Sequence, residues 1–409
     1  MVKNNTKIPE EWKEYNIKNI CNVLIGGTPA RNNEDFWDTK KEMHNIWVSI
    51  RDMSNNGKYI SDSAEYISDQ GVKKSNVKLI PKDTLIMSFK LSIGKVAITK
   101  KELYTNEAIA AFVVKDKNLL DSNYLYYVVS GLNYDFDTAV KGKTLNKEKL
   151  LNTKIFLPSI GIQNKIAEIL GAVDEEIEKI NELINRSDKI KSGLMKKLFS
   201  DGIGHKGNCK RTKLGIVPVE WEVVSLSSVA KVERGKFSHR PRNDLKLYNG
   251  AIPFIQTAEV VGCNGKIYSY HQTLNDEGLK VSKMFPAGTI VLTIAANIGD
   301  TGVLQFDACF PDSLVGIKVN EQMDSIFLEF YLRTRKEYLN SIATQSAQKN
   351  INLEKLNPLL IIKPPLHEQK QIAEILFAFD NKILIYKKIK INLIQLKKGL
   401  LVELLSGKK

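Results

Sequence analysis

The chain has no long hydrophobic run and few cysteines or histidines. Its apolar runs fall far short of the ~20 residues that a membrane-spanning helix needs. The N-terminal stretch MVKNNTKIPEEW has no apolar core of the kind that signal peptides carry. No CxxC pair occurs, which favours a reduced cytoplasmic location over a disulfide scaffold. The four cysteines are Cys21, Cys209, Cys263 and Cys309.

Acidic residues are also in deficit. The 409 residues include 60 Lys and Arg against 46 Asp and Glu, for a net charge of +14 and a pI near 9.3. This surplus favours polyanionic partners, although a lysine-rich proteome alone would produce a similar charge. Because domains usually contain ~100–200 residues, the length predicts at least two of them.

One octamer occurs twice in the chain. QNKIAEIL at 163–170 returns as QKQIAEIL at 369–376, with six of eight letters identical at a separation of 206 residues. The match continues without a gap to GLMKKLFS at 193–200 and GLLVELLS at 399–406. An internal repeat at a fixed separation predicts that the same structural unit is built twice.

Fainter matches extend the repeat toward the N-terminus. Each separation lies between 205 and 209 residues, so small insertions explain the drift. The chain is therefore predicted to contain a unit of about 150 residues and then one of about 40, twice. The paired segments are 7–12 with 216–221, 45–53 with 252–260, 80–98 with 285–304, and 145–158 with 351–364.

The larger units predict mixed α/β domains. Short β-branched and aromatic runs such as TLIMSF and TIVLTIA are bounded by Gly, Pro, Asn and Asp, which is typical of strands. The stretches DSNYLYYVVSGL and DSIFLEFYLRT predict helices with Asp or Ser at the N-cap.

The smaller units predict long helices. Pro158 and Pro364–Pro365 permit a helix start, and no proline follows up to Ser200 or Ser406. Apolar residues separated by three and four form one stripe per copy, as in a coiled-coil seam. Two helices buried in ordinary cores are the alternative. The predicted stripes are Val173, Ile177, Ile180, Leu183, Ile190, Leu194 and Leu198, and Phe379, Ile383, Tyr386, Ile389, Leu396, Leu400 and Leu404, with Ser187 opposite Leu393.

An antiparallel pairing of the two helices needs only short connections. The expected molecule is pseudo-twofold, with one mixed α/β domain at each end of the coiled coil and a flexible joint at 201–215. Dimeric DNA readers match the twofold symmetry of the duplex with paired half-sites. Since the two domains differ in sequence, two different half-sites in inverted orientation are expected.

This layout resembles the specificity subunit of type I restriction–modification systems over essentially the whole chain. Two departures occur: the joint contains an extra HKGNCKR, and Ile46–Trp47 replaces the proline–aromatic pair seen at Pro253–Phe254. The order and doubling of several motifs carry the resemblance. They are IPEEW and LGIVPVEW, IGKVAI and IGDTGVL, the two octamers, and GLMKKLFSDG and GLLVELLSGK.

The resemblance implies two target-recognition domains that each read half of a split DNA site, and a coiled coil that sets the spacer. It implies partners: double-stranded DNA, two modification subunits that methylate adenine at N6, and two restriction subunits that translocate and cleave DNA. The specificity subunit itself is expected to have no catalytic residues, cofactor or metal. The implied boundaries are 1–157 and 216–363 for the recognition domains, 158–200 and 364–409 for the helical regions, and 201–215 for the linker.

Several motifs imitate catalytic or binding signatures. GIGHKG at 202–207 fits GxGxxG but lacks the required strand before it. GKT at 142–144 lacks the earlier glycine of a P-loop, although its lysine remains a candidate phosphate contact. Pro311–Asp312 lacks the glutamate of a nuclease core. Asn357-Pro358-Leu359-Leu360 lacks an aromatic to stack on a flipped base, and His205 with Cys209 is only half a zinc site.

DNA contacts are expected in segments that are equivalent in the two halves of the repeat but differ in amino-acid sequence. Basic side chains bind phosphates, while Arg on guanine and Asn or Gln on adenine are the commonest base contacts. Arg31, Arg51, Arg240, Gln256 and Asn297 are therefore predicted to contact bases, with solvated loop residues as the alternative. The full predicted set is Arg31, Arg51, Lys90, Lys95, Lys143, Lys236, Arg240, Arg242, Gln256, Asn297 and Lys349.

Two other classes of protein fit parts of the pattern. A coiled-coil adaptor with two protein-binding domains would have the same repeat, and it would bind duplex DNA without sequence preference. An enzyme with an unrecognised site would show methylation or cleavage activity by itself, which the resemblance does not imply.

Overall fold

A computed structural model of the chain describes residues 9–55, 57–90, 92–132, 137–139, 142–144, 146–205, 207–343 and 350–407. The chain divides into two compact units. The first unit is Met1–Glu182 with Lys387–Lys409, and the second unit is Leu183–Tyr386. Each unit therefore combines one of the larger sequence repeats with part of both long helices.

The first unit contains a five-stranded and a three-stranded sheet. Its strands are β1 (Lys13–Asn16), β2 (Cys21–Ile25), β3 (Ile46–Val48), β4 (Tyr59–Ile60), β5 (Glu65–Tyr66), β6 (Leu85–Ser88), β7 (Val96–Thr99), β8 (Tyr104–Thr105), β9 (Ile109–Val114), β10 (Asp137–Ala139), β11 (Gly142–Thr144) and β12 (Lys154–Leu157). Its helices are α1 (Ile17–Ile20), α2 (Asp52–Asn55), α3 (Asp69–Lys74), α4 (Ser122–Gly131), α5 (Lys147–Leu151) and the first part of α6 (Ile160–Asp201).

The strand order of the larger sheet is β2-β9-β6-β7-β4, antiparallel except where β4 runs beside β7. All four residues of β6 are buried, as expected for a central strand covered on both faces. The smaller sheet has the order β5-β3-β8, and β1 pairs with β12.

The second unit repeats these elements. Its strands are β13 (Cys209–Thr212), β14 (Gly215–Pro218), β15 (Glu222–Ser225), β16 (Ala230–Arg234), β17 (Tyr248–Phe254), β18 (Gly265–Ile267), β19 (Gln272–Leu274), β20 (Met284–Phe285), β21 (Ile290–Thr293), β22 (Thr301–Leu304), β23 (Ala308–Cys309), β24 (Leu314–Val319) and β25 (Leu360–Lys363). Besides the end of α6, its helices are α7 (Leu226–Val229), α8 (Thr257–Gly262), α9 (Asp276–Lys280), α10 (Ser325–Thr334), α11 (Lys336–Ile342), α12 (Leu353–Leu356) and the first part of α13 (Leu366–Leu405).

The strand order β16-β24-β21-β22-β18 matches that of the first unit strand for strand, with β18 again parallel to its neighbour β22. A second sheet, β19-β17-β23-β20, corresponds to β5-β3-β8 with one added strand. The predicted fold class, two similar mixed α/β domains with two long helices, is confirmed. The predicted linker, 201–215, contains β13 and the first residue of the hairpin partner β14.

The first residue of each octamer fastens a long helix to the mixed α/β part of its unit. Gln163 is fully buried, donates to the carbonyl oxygens of Leu119 and Pro158 at 2.9 Å, and accepts from the Asp121 N–H at 3.0 Å. Asp121 in turn caps α4, as the sequence predicts. Three hydrogen bonds satisfy the buried amide, which would otherwise be costly to bury.

Gln369 makes the equivalent contacts in the second unit. It is fully buried, donates to Pro364 at 2.8 Å and Gln322 at 3.1 Å, and accepts from the Asp324 N–H at 2.8 Å. Asp324 caps α10, again as predicted.

The long helices pack antiparallel within each unit. In the first unit, Lys397 near the end of α13 pairs with Asp174 near the start of α6, with 2.5 Å between Nζ and Oδ1. In the second unit, Lys191 of α6 pairs with Asp380 of α13, and both side chains are about nine-tenths buried. These pairs occupy equivalent repeat positions, because both separations between equivalent residues are 206.

Part of the predicted apolar stripe is wrong. Leu183, Ile190, Ile389 and Leu396 were expected to face inward, but they are 39%, 47%, 38% and 52% exposed. In the part of α6 around Leu183 and Ile190, Ser187 and Lys191 are buried instead. A lysine can occupy such a position because an aspartate of α13 neutralises it, which hydrophobic periodicity alone does not reveal.

Candidate nucleic-acid interface

In the first unit, the loop after β2 lies against the turn before β9. Gly26 permits this approach, since a Cβ there would lie 2.2 Å from the carbonyl oxygens of Thr105 and Asn106. The Gly27 N–H donates to the Thr105 carbonyl at 2.8 Å, and the Trp47 indole donates to the Gly27 carbonyl at 2.9 Å. One of the loops predicted to read bases is thereby fixed to the sheet.

Arg31 lies on this loop with its guanidinium held in place. It makes two hydrogen bonds to the Glu65 carboxylate, the longer one 3.1 Å from Nη2 to Oε2. Its guanidinium carbon lies 4.0 Å from the ring centre of Trp37 and 4.8 Å from that of Trp47. Cation–π contacts of this kind orient a guanidinium plane. The side chain remains 53% exposed.

Three further predicted residues of this unit lie on neighbouring segments. Arg51 is exposed immediately before α2. Lys95 donates to the hydroxyl of Ser54 in α2, which brings the β6–β7 loop to that helix. Lys90 is half-buried at the other end of the same loop. The first unit therefore places Arg51 and Lys95 on segments that touch.

The same loop approach recurs in the second unit. A Cβ on Gly235 would lie 2.3 Å from the Pro311 carbonyl oxygen, and the Lys236 N–H donates to the Phe310 carbonyl at 3.0 Å. Lys236 itself is exposed. The loop after β16 therefore lies on the turn before β24, as its counterpart does in the first unit.

Arg240 and Arg242 meet at one carboxylate on that turn. Arg242 Nη2 lies 2.6 Å from Asp312 Oδ1, and Arg240 Nη2 lies 3.9 Å from Oδ2. Arg240 also donates from Nη1 to the carbonyl oxygens of Phe237 and His239, both at 2.8 Å. The structure thus brings two of the predicted DNA-binding residues together around a residue that was not predicted to contribute.

Gln256 caps α8. Its N–H donates to Glu259 Oε2 at 3.0 Å, and its side-chain amide donates to Gln272 Oε1 at 3.0 Å. At the equivalent position before α2, the Ser49 N–H donates to Asp52 Oδ2 at 2.8 Å. Both N–H groups therefore donate to a carboxylate three residues later, while the side chains at the two positions differ.

Asn297 lies at the tip of the β21–β22 loop and is exposed. Its carbonyl oxygen accepts from the Thr293 hydroxyl. The Ser88 hydroxyl donates in the same way to the Ser92 carbonyl in the β6–β7 loop. Asn297 and Ser92 therefore occupy equivalent positions. The two loops have the same hydrogen bond and different sequences.

Two predicted contacts are lysines of other segments. Lys143 lies in β11, which pairs with β10, and Lys349 lies outside the described residues. The DNA contacts of all the residues named above stay predictions.

Sequence reasoning missed the acidic partners of the arginines. Glu107 and Asp312 occupy equivalent places, each two residues before the start of β9 or β24. Glu107 accepts a hydrogen bond from the Thr28 hydroxyl. Burial raises the pKa of Glu107, but this bond and the charges of Lys90 and Arg31 leave the pKa below its ordinary value. An acid repeated at a separation of 205 residues was a signal that could have been used.

The imitation motifs have other structural roles. GIGHKG follows α6 and precedes β13, which reverses the strand–loop–helix order of a dinucleotide site. GKT forms strand β11 rather than a phosphate loop. His205 lies 3.0 Å from Glu368 Oε1, while Cys209 is exposed in β13. The Asn357 carbonyl accepts from the Ser227 N–H at 3.1 Å.

Among the described residues, no group of three or more His, Cys, Asp or Glu side chains could hold a metal ion. Over the same parts of the chain, no helix combines the length and the apolar character needed to cross a membrane.

The sequence matches a known family twice. Residues 9–186 and 218–395 each match the family model described as type I restriction modification DNA specificity domain. The chain is 30% identical to a protein assigned as the type I restriction enzyme MjaX specificity subunit of Methanocaldococcus jannaschii, over 98% of this chain and 94% of that protein. It is 28% identical, with the same coverage, to the MjaVIII specificity subunit of that organism.

Solved structures show the same fold. The S subunit of a type I restriction–modification system from M. genitalium matches with a TM-score of 0.61 at 15% identity, covering 98% of both chains. A chain from a study of complex assembly and conformational transition in the type I R-M system matches with a TM-score of 0.58 at 16% identity. That match covers 98% of this chain and all of the other.

Proposed function

Because the chain belongs to the family of type I restriction–modification DNA specificity proteins, we propose that it selects the DNA sequence on which a restriction–modification complex acts. Each recognition domain, 1–157 and 216–363, reads one half of a bipartite asymmetric site in double-stranded DNA. The long helices set the spacer between the two halves. The chain contributes recognition and no catalysis.

One observation carries this proposal. Equivalent loops in the two units share hydrogen-bond frames, as at Ser49 and Gln256 or at Ser92 and Asn297, yet present different side chains. A repeated frame suits the repeated geometry of a duplex, because phosphate and groove positions recur on both strands. Different side chains on that frame suit two half-sites of different sequence.

The partners follow from the same family. We infer that two adenine-N6 methyltransferase subunits and two restriction subunits, which translocate and cleave DNA, assemble with the chain in the cytoplasm. The net charge of +14 supports binding to the polyanionic duplex, and the exposed arginines and lysines of the loops provide phosphate contacts.

The experiment starts with methylome sequencing of a host that expresses this chain with its methyltransferase, which reveals the target. Binding of the assembled complex is then measured on the intact site and on sites altered in one half. Arg51→Ala should reduce discrimination at the first half-site by roughly 10-fold, within the ~1–3 kcal/mol of a good base contact, and leave the second unchanged. Gln256→Ala should reduce discrimination at the second half-site and leave the first unchanged.

Matched controls separate base reading from loss of charge or of side-chain volume. Lys73→Ala removes an exposed cation from α3 of the first unit, and Gln305→Ala removes an exposed amide from the second. Neither should alter discrimination at a half-site. If Arg51→Ala weakens binding equally to sites altered in either half, the assignment of that residue is wrong. A complex that binds all duplexes equally would contradict the function itself.

A further inference from the structure

A single carboxylate organises the basic loop of the second recognition domain. Three arginines converge on Asp312: Arg240 and Arg242 on its carboxylate, and Arg234 on its carbonyl oxygen, with Nε at 2.6 Å. Exposed surface pairs are ordinarily isolated and contribute little stability, about 0–1 kcal/mol. A convergence of this kind therefore needs an explanation other than stability.

A carboxylate has a cost at a surface that meets DNA. It lies in the negative field of the phosphates and removes one unit of attraction. Asp312 is 41% exposed, so burial does not hide it from the duplex. A gain in binding or selectivity from the arrangement of the arginines has to offset this cost.

The arginines keep donors free for a ligand. A guanidinium has five N–H donors in a fixed plane. Arg242 uses Nη2 on Asp312 and remains 46% exposed, and Arg240 remains 55% exposed with Nη1 directed to two carbonyl oxygens of its own loop. The side chains are thus fixed at one edge and open at another, which is the arrangement that bidentate contacts to a base require.

In the first recognition domain, two carboxylates instead of one hold the basic loop and its arginine. Glu65 holds Arg31, while Glu107, the equivalent of Asp312, accepts from Thr28 on the same loop. Both domains therefore fasten their first basic loop by carboxylates, although the fastened side chains differ. Recurrence at equivalent places makes a chance contact a poor explanation.

We propose that Asp312 is a positioning residue for DNA recognition, which orients Arg240 and Arg242 toward the half-site read by the second recognition domain. The proposal rests on the proposed function and adds a residue that does not itself contact bases. In the first domain, Glu107 positions the loop that carries Thr28 and Arg31.

The test is Asp312→Asn in the assembled methyltransferase complex. The backbone carbonyl that accepts from Arg234 is unchanged, so the turn is expected to fold. Loss of positioning should reduce discrimination between the intact site and a site altered in the second half by roughly 10-fold, with discrimination at the first half unchanged. Affinity for a nonspecific duplex should stay equal or rise, because a negative charge has been removed.

Positioning and simple electrostatic repulsion predict different changes in discrimination for Asp312→Asn. If Asp312→Asn binds the intact site more tightly and discriminates as well as the wild type, the carboxylate only repels DNA and the proposal is overturned. Equal loss of discrimination at both half-sites would also overturn it, since that pattern indicates a general defect. If the wild-type complex discriminates at neither half-site, the proposed function fails first, before the role of Asp312 is in question.

Two variants complete the design. Asp307→Asn removes an equal charge from an exposed turn of the same domain, and its amide oxygen can still accept from the Ala287 N–H, so discrimination should not change. Glu107→Gln should affect only the first half-site. A loss at the second half-site from either variant would contradict the proposal.

Discussion

Both units pack an aromatic side chain close to two cations, but they complete the cluster with different chemistry. In the first unit, the ring centre of Tyr127 of α4 lies 4.6 Å from Lys58 Nζ and 5.6 Å from Lys397 Nζ of α13. Its hydroxyl donates to Asp174 of α6 at 2.9 Å and lies 3.3 Å from Lys58 Nζ. A neutral hydroxyl therefore links Lys58 to the acidic residue of the long helix.

In the second unit the ring is Phe330 of α10, with Arg333 at 4.7 Å and Lys191 of α6 at 5.4 Å. Phenylalanine has no hydroxyl, and Arg333 itself reaches Asp380 of α13 at 3.4 Å. The guanidinium is also bound by Glu329 through two hydrogen bonds, of 3.0 and 2.7 Å.

The repeated part of this cluster is the aspartate–lysine pair of the long helices and the ring packed near it. The part that differs is the connection to the recognition domain. The first unit uses Lys58 and a neutral hydroxyl, whereas the second unit uses Arg333 and Glu329, a carboxylate only 1% exposed. Buried charges are strongly destabilising when one partner is removed, whereas a neutral hydroxyl tolerates such a loss better. The second unit should therefore be the more sensitive of the two.

The largest expected effect comes from Arg333→Ala. Where Glu329 is ionised, the variant leaves its carboxylate without a cation. It also removes one partner of Asp380, so the free energy of unfolding should fall by about 3 kcal/mol. Lys58→Ala, its counterpart in the first unit, should cost only about 1 kcal/mol, because the Tyr127 hydroxyl still donates to Asp174. Urea unfolding of the intact chain measures both, and equal losses would show that the two clusters do not differ in the proposed way.

An effect of equal size in both units is expected at the octamer glutamines. Gln163→Leu and Gln369→Leu each remove three hydrogen bonds at a fully buried site, so an aspartate N–H and two carbonyl oxygens lose the glutamine as a partner. Each should lower the free energy of unfolding by about 2 kcal/mol. A difference of more than twofold between the two variants would indicate that the framework is not energetically equivalent in the two halves.

Much of this framework was predictable because it repeats. The separation of about 206 residues identified equivalent segments. Local chemistry predicted an Asp or Ser cap for two helices, and the caps are Asp121 and Asp324. The inward face of the helices was only partly predictable. Ile190 and Lys191 are adjacent in sequence, and only the distant Asp380 explains why the lysine is the buried one.

The candidate site was less accessible to sequence reasoning. Arg242 and Asp312 are 70 residues apart, and Arg31 and Glu65 are 34 apart, so their contacts depend on strand order. Loop position and basic character identified the arginines. The acids that hold them belong to other segments, and nothing in the local sequence connects the two.

The smallest expected effect is a difference in pH dependence between the two units. Burial raises the pKa of Glu329, although the Arg333 guanidinium and the Thr301 hydroxyl lower it and the nearby Asp380 raises it further. In the unfolded chain the pKa of a glutamate is about 4.3. The folded state therefore retains the Glu329 proton at pH values where the unfolded state has lost it. The protonated Glu329 therefore adds to the free energy of unfolding at low pH. This contribution is lost as the pH rises from the unfolded pKa through the folded pKa of Glu329.

A glutamine at this position cannot titrate, so Glu329→Gln should remove the pH-dependent contribution of Glu329 to the free energy of unfolding. The Tm of the wild-type chain should therefore fall relative to that of Glu329→Gln as the pH is raised from 5 to 8. Tyr126 occupies the equivalent position in the first unit, and burial raises its pKa to about 12, outside this range. Tyr126→Phe should consequently run parallel to the wild type across the same thermal scans. A parallel course for Glu329→Gln as well would show that the buried carboxylate does not change its protonation between the folded and unfolded states in this range.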